Sequence, residues 1–251
     1  MRQWTVPIVG AGIVALLGSA LPACGATLAS DDASQSAYDD GWDAGDNGGS
    51  GFLPWSVVAR ENDSGFGGGF ISSNNGAVDI GTGPDNKAFG VYGNGGGVGQ
   101  AIRPFDGALS VGQTFLISMD NQGIDNGGTV GFGLQTSDGT NRLEFYFVGG
   151  ESTYTVNNGD VISSDVGWTE GGLNLAITLT GPDSFSLTIN GGEPIIGALG
   201  GPSGSGISQV RLFNANGGPD VFFNNLAIVP EPASVALLGL GAMVGLLRRR
   251  G

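Results

Sequence analysis

Apolar residues recur at every second position through most of the chain after Pro54. Phe115, Ile117 and Met119 alternate with Leu116, Ser118 and Asp120, and Val130, Phe132 and Leu134 alternate with Gly131, Gly133 and Gln135. Leu143, Phe145 and Phe147 make a third row, Leu173, Leu175, Ile177 and Leu179 a fourth, and Phe185, Leu187 and Ile189 a fifth. Successive side chains of a strand point to opposite faces, so each row predicts a strand with one buried face. Turn formers separate the rows: Asn-Gly at 75–76, Asn-Gly-Gly at 94–96, 126–128 and 190–192, Asp-Gly at 138–139, and Gly-Pro-Asp at 181–183. Leu179 and Phe185 have only Thr180 to Ser184 between them, which predicts a hairpin. No interior stretch keeps a period of 3.6, so helix is expected only at the two ends.

Strands of this kind must stack as two sheets or close into a barrel to bury their apolar faces. We expect an all-β, antiparallel two-sheet sandwich over 54–229. An irregular segment at 27–53 precedes it, pinned to the core by Tyr38, Trp42, Phe52 and Trp55. The number of strands and the last one, Val221–Val229, give a texture that resembles concanavalin-A-like jelly-roll sandwiches. Composition agrees: 50 glycines beside 40% hydrophobic residues suit short strands joined by glycine turns better than a collagen-like or disordered chain.

The ends read differently. Arg2 precedes an apolar run from Val6 to Leu21 and then Ala23-Cys24-Gly25-Ala26, the order of a secretory signal peptide, with a helix over the apolar run and cleavage expected after Ala26. Leu21-Pro22-Ala23-Cys24 also resembles a lipobox, which would make an acylated Cys24 the first residue instead. At the other end, Pro230-Glu231-Pro232 leads into an apolar run to Leu247 and then Arg248, Arg249 and Arg250. Prolines 230 and 232 disfavour helix just before them and leave the chain extended and open to a protease. From Ala233 to Leu247 a helix would span only about 22 Å against a hydrocarbon core of about 30 Å, a marginal transmembrane anchor. The arginines should stay cytoplasmic, leaving everything before Pro230 outside.

Motif, apolar run and basic stop in that order resemble the PEP-CTERM sorting signal. The resemblance covers 230–251 and implies recognition of Pro230, Glu231 and Pro232 by an exosortase, a membrane cysteine protease of Gram-negative bacteria that often make extracellular polysaccharide. Signal peptidase and exosortase are then the partners during export. The inner membrane is a transient one, and the cell surface or extracellular matrix is the destination.

Chemistry is bounded by what is missing. The chain has no histidine and one cysteine, Cys24 at the end of the leader, which removes Ser-His-Asp and Cys-His nucleophiles, histidine-bound zinc and a disulfide in the mature domain. Without the four terminal arginines and Glu231, 5 basic and 22 acidic residues remain, a net charge of −17 that repels phosphate backbones, so nucleic acid is not an expected partner. The loop from Asp120 to Gly128 puts Asp120 and Asp125 beside two amide side chains, the oxygen chemistry of calcium, although the same residues are the usual turn formers. Tyr92, Tyr146, Tyr154 and Trp168 stand at polar or glycine-rich positions and are candidates for stacking on sugars. Glycoside hydrolysis would need two facing carboxyls drawn from Glu144, Glu151, Glu170 and Glu193, and the closely spaced acidic pattern of sandwich glucanases is absent. The expected function is thus an exported envelope or matrix protein, without catalysis of its own, associated with extracellular polysaccharide. A lectin-like sugar binder and a carboxylate-based glycoside hydrolase are the alternatives.

Overall fold

The computed structural model describes residues 27–73 and 79–230. In chain order the strands are β1 (Ala29–Asp31), β2 (Val57–Arg60), β3 (Phe66–Ser72), β4 (Ala88–Asn94), β5 (Val98–Pro104), β6 (Thr114–Asn121), β7 (Thr129–Gln135) and β8 (Asn141–Val148). There follow β9 (Thr153–Asn157), β10 (Val161–Gly167), β11 (Leu173–Gly181), β12 (Ser184–Ile189), β13 (Ile195–Ala198), β14 (Gln209–Ala215) and β15 (Val221–Val229). A single 3-10 turn, Ser36–Tyr38, is the only helical element among the described residues. The two terminal helices expected from the sequence lie outside them, as do Cys24, Ala26, Glu231, Pro232, Arg248, Arg249 and Arg250.

All pairings are antiparallel, and the strands form two sheets. One runs β13-β12-β11-β6-β15-β4-β3 with β1 added against β15, and the other runs β10-β9-β8-β7-β14-β5-β2. This is the expected sandwich. The predicted rows face its interior: Phe115, Ile117 and Met119 of β6 and Leu173, Leu175 and Ile177 of β11 pack in one core with Val130, Phe132 and Leu134 of β7 and Leu143, Phe145 and Phe147 of β8. The predicted hairpin is β11–β12, with Leu179 opposite Phe185.

β15 is the keystone of the larger sheet. It pairs with β6 along its length, with β4 over Val221–Phe223, and with β1 over Leu226–Ile228. A bulge at Asn225, whose φ is +54°, separates those two lengths. The preceding residue, Asn224, is buried and accepts from the Ala33 N–H while donating to the carbonyls of Ile80 and Lys87, and so ties two loops to the sheet.

The stretch from 27 to 53 is therefore less irregular than expected, since β1 supplies the lower edge of β15 that β4 does not reach. Its aromatics are buried. Trp42 meets Trp55 edge-on at 4.8 Å and Phe89 at 4.8 Å. The Tyr38 hydroxyl donates to Asp31 Oδ2 at 2.6 Å and accepts from Gly48 N and Trp55 Nε1. Arg103 of β5, fully buried, pairs with Asp31 at 3.2 Å and donates to Asn47 and to the carbonyls of Asp46 and Gly48. Its guanidinium also lies 5.2 Å from the Trp55 ring. Although its Nε has no partner, the four contacts of this buried guanidinium fix the segment in place.

Candidate functional site

The outer face of the seven-stranded sheet gathers the polar chemistry. On β7 every second residue points outward, and two of these are glycines, Gly131 and Gly133. Gly133 stands between Glu144 of β8 and Arg211 of β14, and Gly131 between Tyr146 of β8 and Phe213 of β14. The middle strand has no side chains there while both neighbours carry large ones, which lean over it and bury both glycines, so that the trough between them is shallow. Its walls are two inter-strand spacings apart, about 9.5 Å between backbones.

Both walls are held by hydrogen bonds. Glu144 Oε1 accepts from Asn141 Nδ2 at 2.7 Å, and Oε2 from Asn157 Nδ2 at 3.0 Å. Asn141 in turn accepts from Gln135, whose side-chain oxygen accepts from Gln209, so an amide ladder closes one end of the trough. Opposite, Arg211 donates to Gln100 at 2.8 Å, pairs with Glu61 and lies 5.1 Å over the Phe213 ring. Burial raises the pKa of Glu144 above the usual carboxylate range, against the Arg211 charge and the Asn157 hydrogen bond. Burial, and then the charge on Glu144, raise that of Tyr146. The trough thus offers a fixed carboxylate, primary amides and a half-buried aromatic ring. These groups hydrogen-bond hydroxyls and stack on apolar C–H surfaces.

The sequence candidates divide around this face. Tyr146 and Glu144 lie on it. Tyr154 does not: at 1% exposure it is a core residue, stacked on Phe145 at 5.2 Å with its hydroxyl donating to Asn121. Its polar neighbours in sequence are outward members of β9, and Tyr154 shares the inward parity of Val156. Tyr92 is on the outer face of the other sheet, 6.3 Å from Phe70, and Trp168, 37% exposed, sits in the loop after β10. The four aromatics do not share one face. Glu151, Glu170 and Glu193 are exposed in three separate loops away from Glu144.

Asp120 and Asp125 have different surroundings. Asp120 is buried, with Oδ2 accepting from the Asp79 N–H at 2.7 Å and Oδ1 without a partner, whereas the Asp125 carboxylate lies against Gly218. Among the described residues no three or more His, Cys, Asp or Glu side chains are grouped to hold a metal ion. Arg211, Phe213, Asn157 and Gln100 were missed in sequence. The β8–β9 pairing sets Asn157 opposite Glu144, and only the β8-β7-β14-β5 strand order brings the other three near it.

A second groove, of about 360 Å³, lies on the outer face of the larger sheet. Leu116 and Ala176 form its floor, with Ser118, Asn174, Thr188 and Asn225 around them.

Pro230 follows β15 without an intervening loop, so the last strand runs straight into the Pro-Glu-Pro segment. Residues 229–250 match the family model described as the PEP-CTERM protein-sorting motif. The chain carries a PEP-CTERM sorting motif. The motif implies export and processing by an exosortase at the membrane. No helix among the described residues is long and apolar enough to cross a membrane. No curated protein matches the sequence.

The sandwich that bears the PEP-CTERM motif is similar to several solved structures. The globular domain of T. cruzi calreticulin shares 12% identity over 77% of this chain and 90% of its own, with a TM-score of 0.52. A structure reported for endo-acting O-glycanases of the human gut microbiota that initiate mucin breakdown shares 11% over 81% and 99%, with a TM-score of 0.50. Domain 4 of the Geobacillus stearothermophilus arabinanase AbnA, solved with arabinotriose, shares 16% over 83% and 94%, with a TM-score of 0.47. At these identities the likeness is one of fold, the jelly-roll sandwich of lectin-like domains.

Proposed function

We propose that the chain is an exported envelope or matrix protein that holds extracellular polysaccharide without cleaving it, through the glycine-floored trough on the seven-stranded sheet. The observation that carries this reading is the row Glu144–Gly133–Arg211 beside the row Tyr146–Gly131–Phe213. It leaves a slot between an aromatic ring and hydrogen-bonding side chains already fixed by their neighbours. Fixed groups lose little freedom on binding, which favours a repeating polyol. The sugar-acting proteins among the structural neighbours are in keeping with this, although their likeness is of fold.

Binding without cleavage is favoured by the state of the carboxyls. Hydrolysis needs an acid and a second carboxylate about 5–9.5 Å apart across the bond. Both oxygens of Glu144 already accept amide hydrogens, and Glu61 on the same face is occupied by Arg211. The acidity of the domain favours a neutral polymer over a polyuronate.

Residues 25–231 form one compact unit, so a fragment from Thr27 to Val229 is suitable for a glycan array and for calorimetry with the hits. Binding to neutral glycans that is lost in Tyr146→Ala, with no new reducing ends on prolonged incubation, is the expected result. A flat array would remove the sugar reading. Release of reducing ends abolished by Glu144→Gln would replace it with the hydrolase.

A further inference from the structure

Both ends of the sandwich chain lie together. The Leu28 N–H donates to the Ile228 carbonyl at 2.8 Å, and Ala29 stands opposite Ile228. β1 therefore enters at the end where β15 leaves. Val229 is still paired with Thr114 of β6, and only Pro230, Glu231 and Pro232 separate it from the apolar run that begins at Ala233. Three extended residues reach at most about 10 Å.

The surface around this exit has its own character. Leu28 is 48% exposed, Leu53 44% and Val111 56%, and together they are three of the exposed large apolar side chains of the domain. Gly51 packs against the Leu28 carbonyl, and the Leu53 N–H donates to Pro104 at the end of β5. Val111 lies in the loop that leads into Thr114, the partner of Val229, and the next N–H, of Gly112, donates to Leu179 near the end of β11. All three side chains thus surround the point from which the tail departs.

We propose that, while the tail is in the bilayer, the sandwich stands upright on the membrane with this end down, and that Leu28, Leu53 and Val111 rest in the headgroup layer. The inference rests on the PEP-CTERM reading of the tail. A tether of about 10 Å exceeds the headgroup layer of about 5–8 Å by only a few ångströms and so keeps the folded domain at the membrane surface, and a strand paired on both sides cannot lengthen it without breaking the sheet. Three apolar side chains at the contact lower its cost, because the headgroup boundary takes partly exposed apolar groups that water does not favour. Asp106 in the same loop as Val111, Asp138 in the loop after β7 and Asp183 in the β11–β12 hairpin lie at the same end and keep the contact from going deeper. The trough then faces sideways along the membrane. The opposite end, with the loop at 122–128 and the exposed Phe66, points away at about 25–30 Å, the length of the central strand.

The absence of cysteine after Cys24 makes the test direct. Full-length precursor with Cys24→Ser is reconstituted in phosphatidylethanolamine and phosphatidylglycerol vesicles carrying a nitroxide on the lipid headgroup. An environment-sensitive dye is placed in turn at Leu53→Cys, Val111→Cys and Phe66→Cys, each checked for an unchanged melting temperature. Quenching several-fold stronger at 53 and 111 than at 66 is expected. Equal quenching at the three positions, or stronger quenching at 66, in precursor that floats with the vesicles overturns the upright orientation and leaves the tail reading standing. Precursor that does not float overturns both.

Discussion

Two buried carboxylates, Asp31 and Asp120, both have pKa values pushed up to about 6, chiefly by burial, but their surroundings differ. Asp31 has a hydrogen bond from Tyr38 and the charge of Arg103 in its favour, whereas Asp120 has one backbone N–H and the like charge of Asp79. An unfolded aspartate titrates near 3.8, so between there and about 6 the folded state keeps a proton that the unfolded chain releases. The stabilisation from Asp120 is thus fully present below about 3.8 and is lost as pH rises through about 6. Asp120→Asn, neutral at every pH, is expected to unfold at higher denaturant than the parent at pH 7, by roughly 1–2 kcal/mol after allowance for its new amide donors, and to match it at pH 4. Denaturant melts at the two pH values read this out; a variant weaker at pH 7 would show that the ionised carboxylate is needed there. Tyr38→Phe is the contrasting case. It removes the acceptor for Gly48 N and Trp55 Nε1 and the donor to Asp31 in one step, leaving buried donors unpaired. A loss of about 2–4 kcal/mol is expected by the same melts.

The two glycines of β7 have different reasons to be glycine. A Cβ on Gly131 would lie 2.2 Å from the Phe145 carbonyl oxygen and 2.6 Å from the Tyr146 Cα, both backbone atoms. On Gly133 it would meet Asn141 Oδ1 at 3.1 Å and Glu144 Cγ at 3.4 Å, both side chains able to shift. Gly131→Ala is expected to cost about 1–3 kcal/mol in thermal or denaturant unfolding by pushing β8 away. Gly133→Ala should stay within about 0.5 kcal/mol of the parent while weakening glycan binding by raising the trough floor. Equal stability losses would mean that the trough is not a free space. The same contrast explains what the sequence discloses. β6, β7, β8, β11 and β12 alternate bulky inward residues with small or polar outward ones, and their period of two is plain. β3, β4 and the first half of β15 hide it, because Phe70, Ala88 and Phe222 are apolar on the outer face too, where they pack with Ile80 in a small second core. β1 has three residues and no pattern; it exists because the lower edge of β15 is free. Half of the trough was legible for a like reason. Glu144 and Tyr146 alternate with Leu143, Phe145 and Phe147 within one strand, whereas Arg211 and Gln100 reach them only through pairings between distant parts of the chain.

The order of the strands puts the last one at the centre. β15 joins β6, β4 and β1 and so holds the larger sheet together, and its partners all come from the first half of the chain: Ala29 pairs with Ile228. Contacts of such long range form late and slowly, on a scale of about milliseconds to seconds in proteins dominated by them. Until Val229 is available the chain has two half-sheets with unpaired inner edges and no lid for the core residues Phe115, Met119 and Phe89. Deletion of 221–229 is therefore expected to abolish the cooperative thermal transition in near-ultraviolet circular dichroism. Deletion of 195–198, which removes the edge strand β13, should leave a transition at lower temperature. A cooperative transition in the first deletion would show that the seven-stranded sheet organises the fold. The sequence sets the same strand against the sorting motif, so an exported chain has its keystone outside the membrane only when three residues remain before the apolar run. In a folded domain only three residues separate the paired Val229 from the apolar run, whereas an unfolded one sets no such limit on the chain before Pro230. Cleavage by membranes that contain the exosortase should consequently differ between the parent and the 221–229 deletion at equal tail insertion; identical rates would show that the protease reads the motif without regard to the fold in front of it.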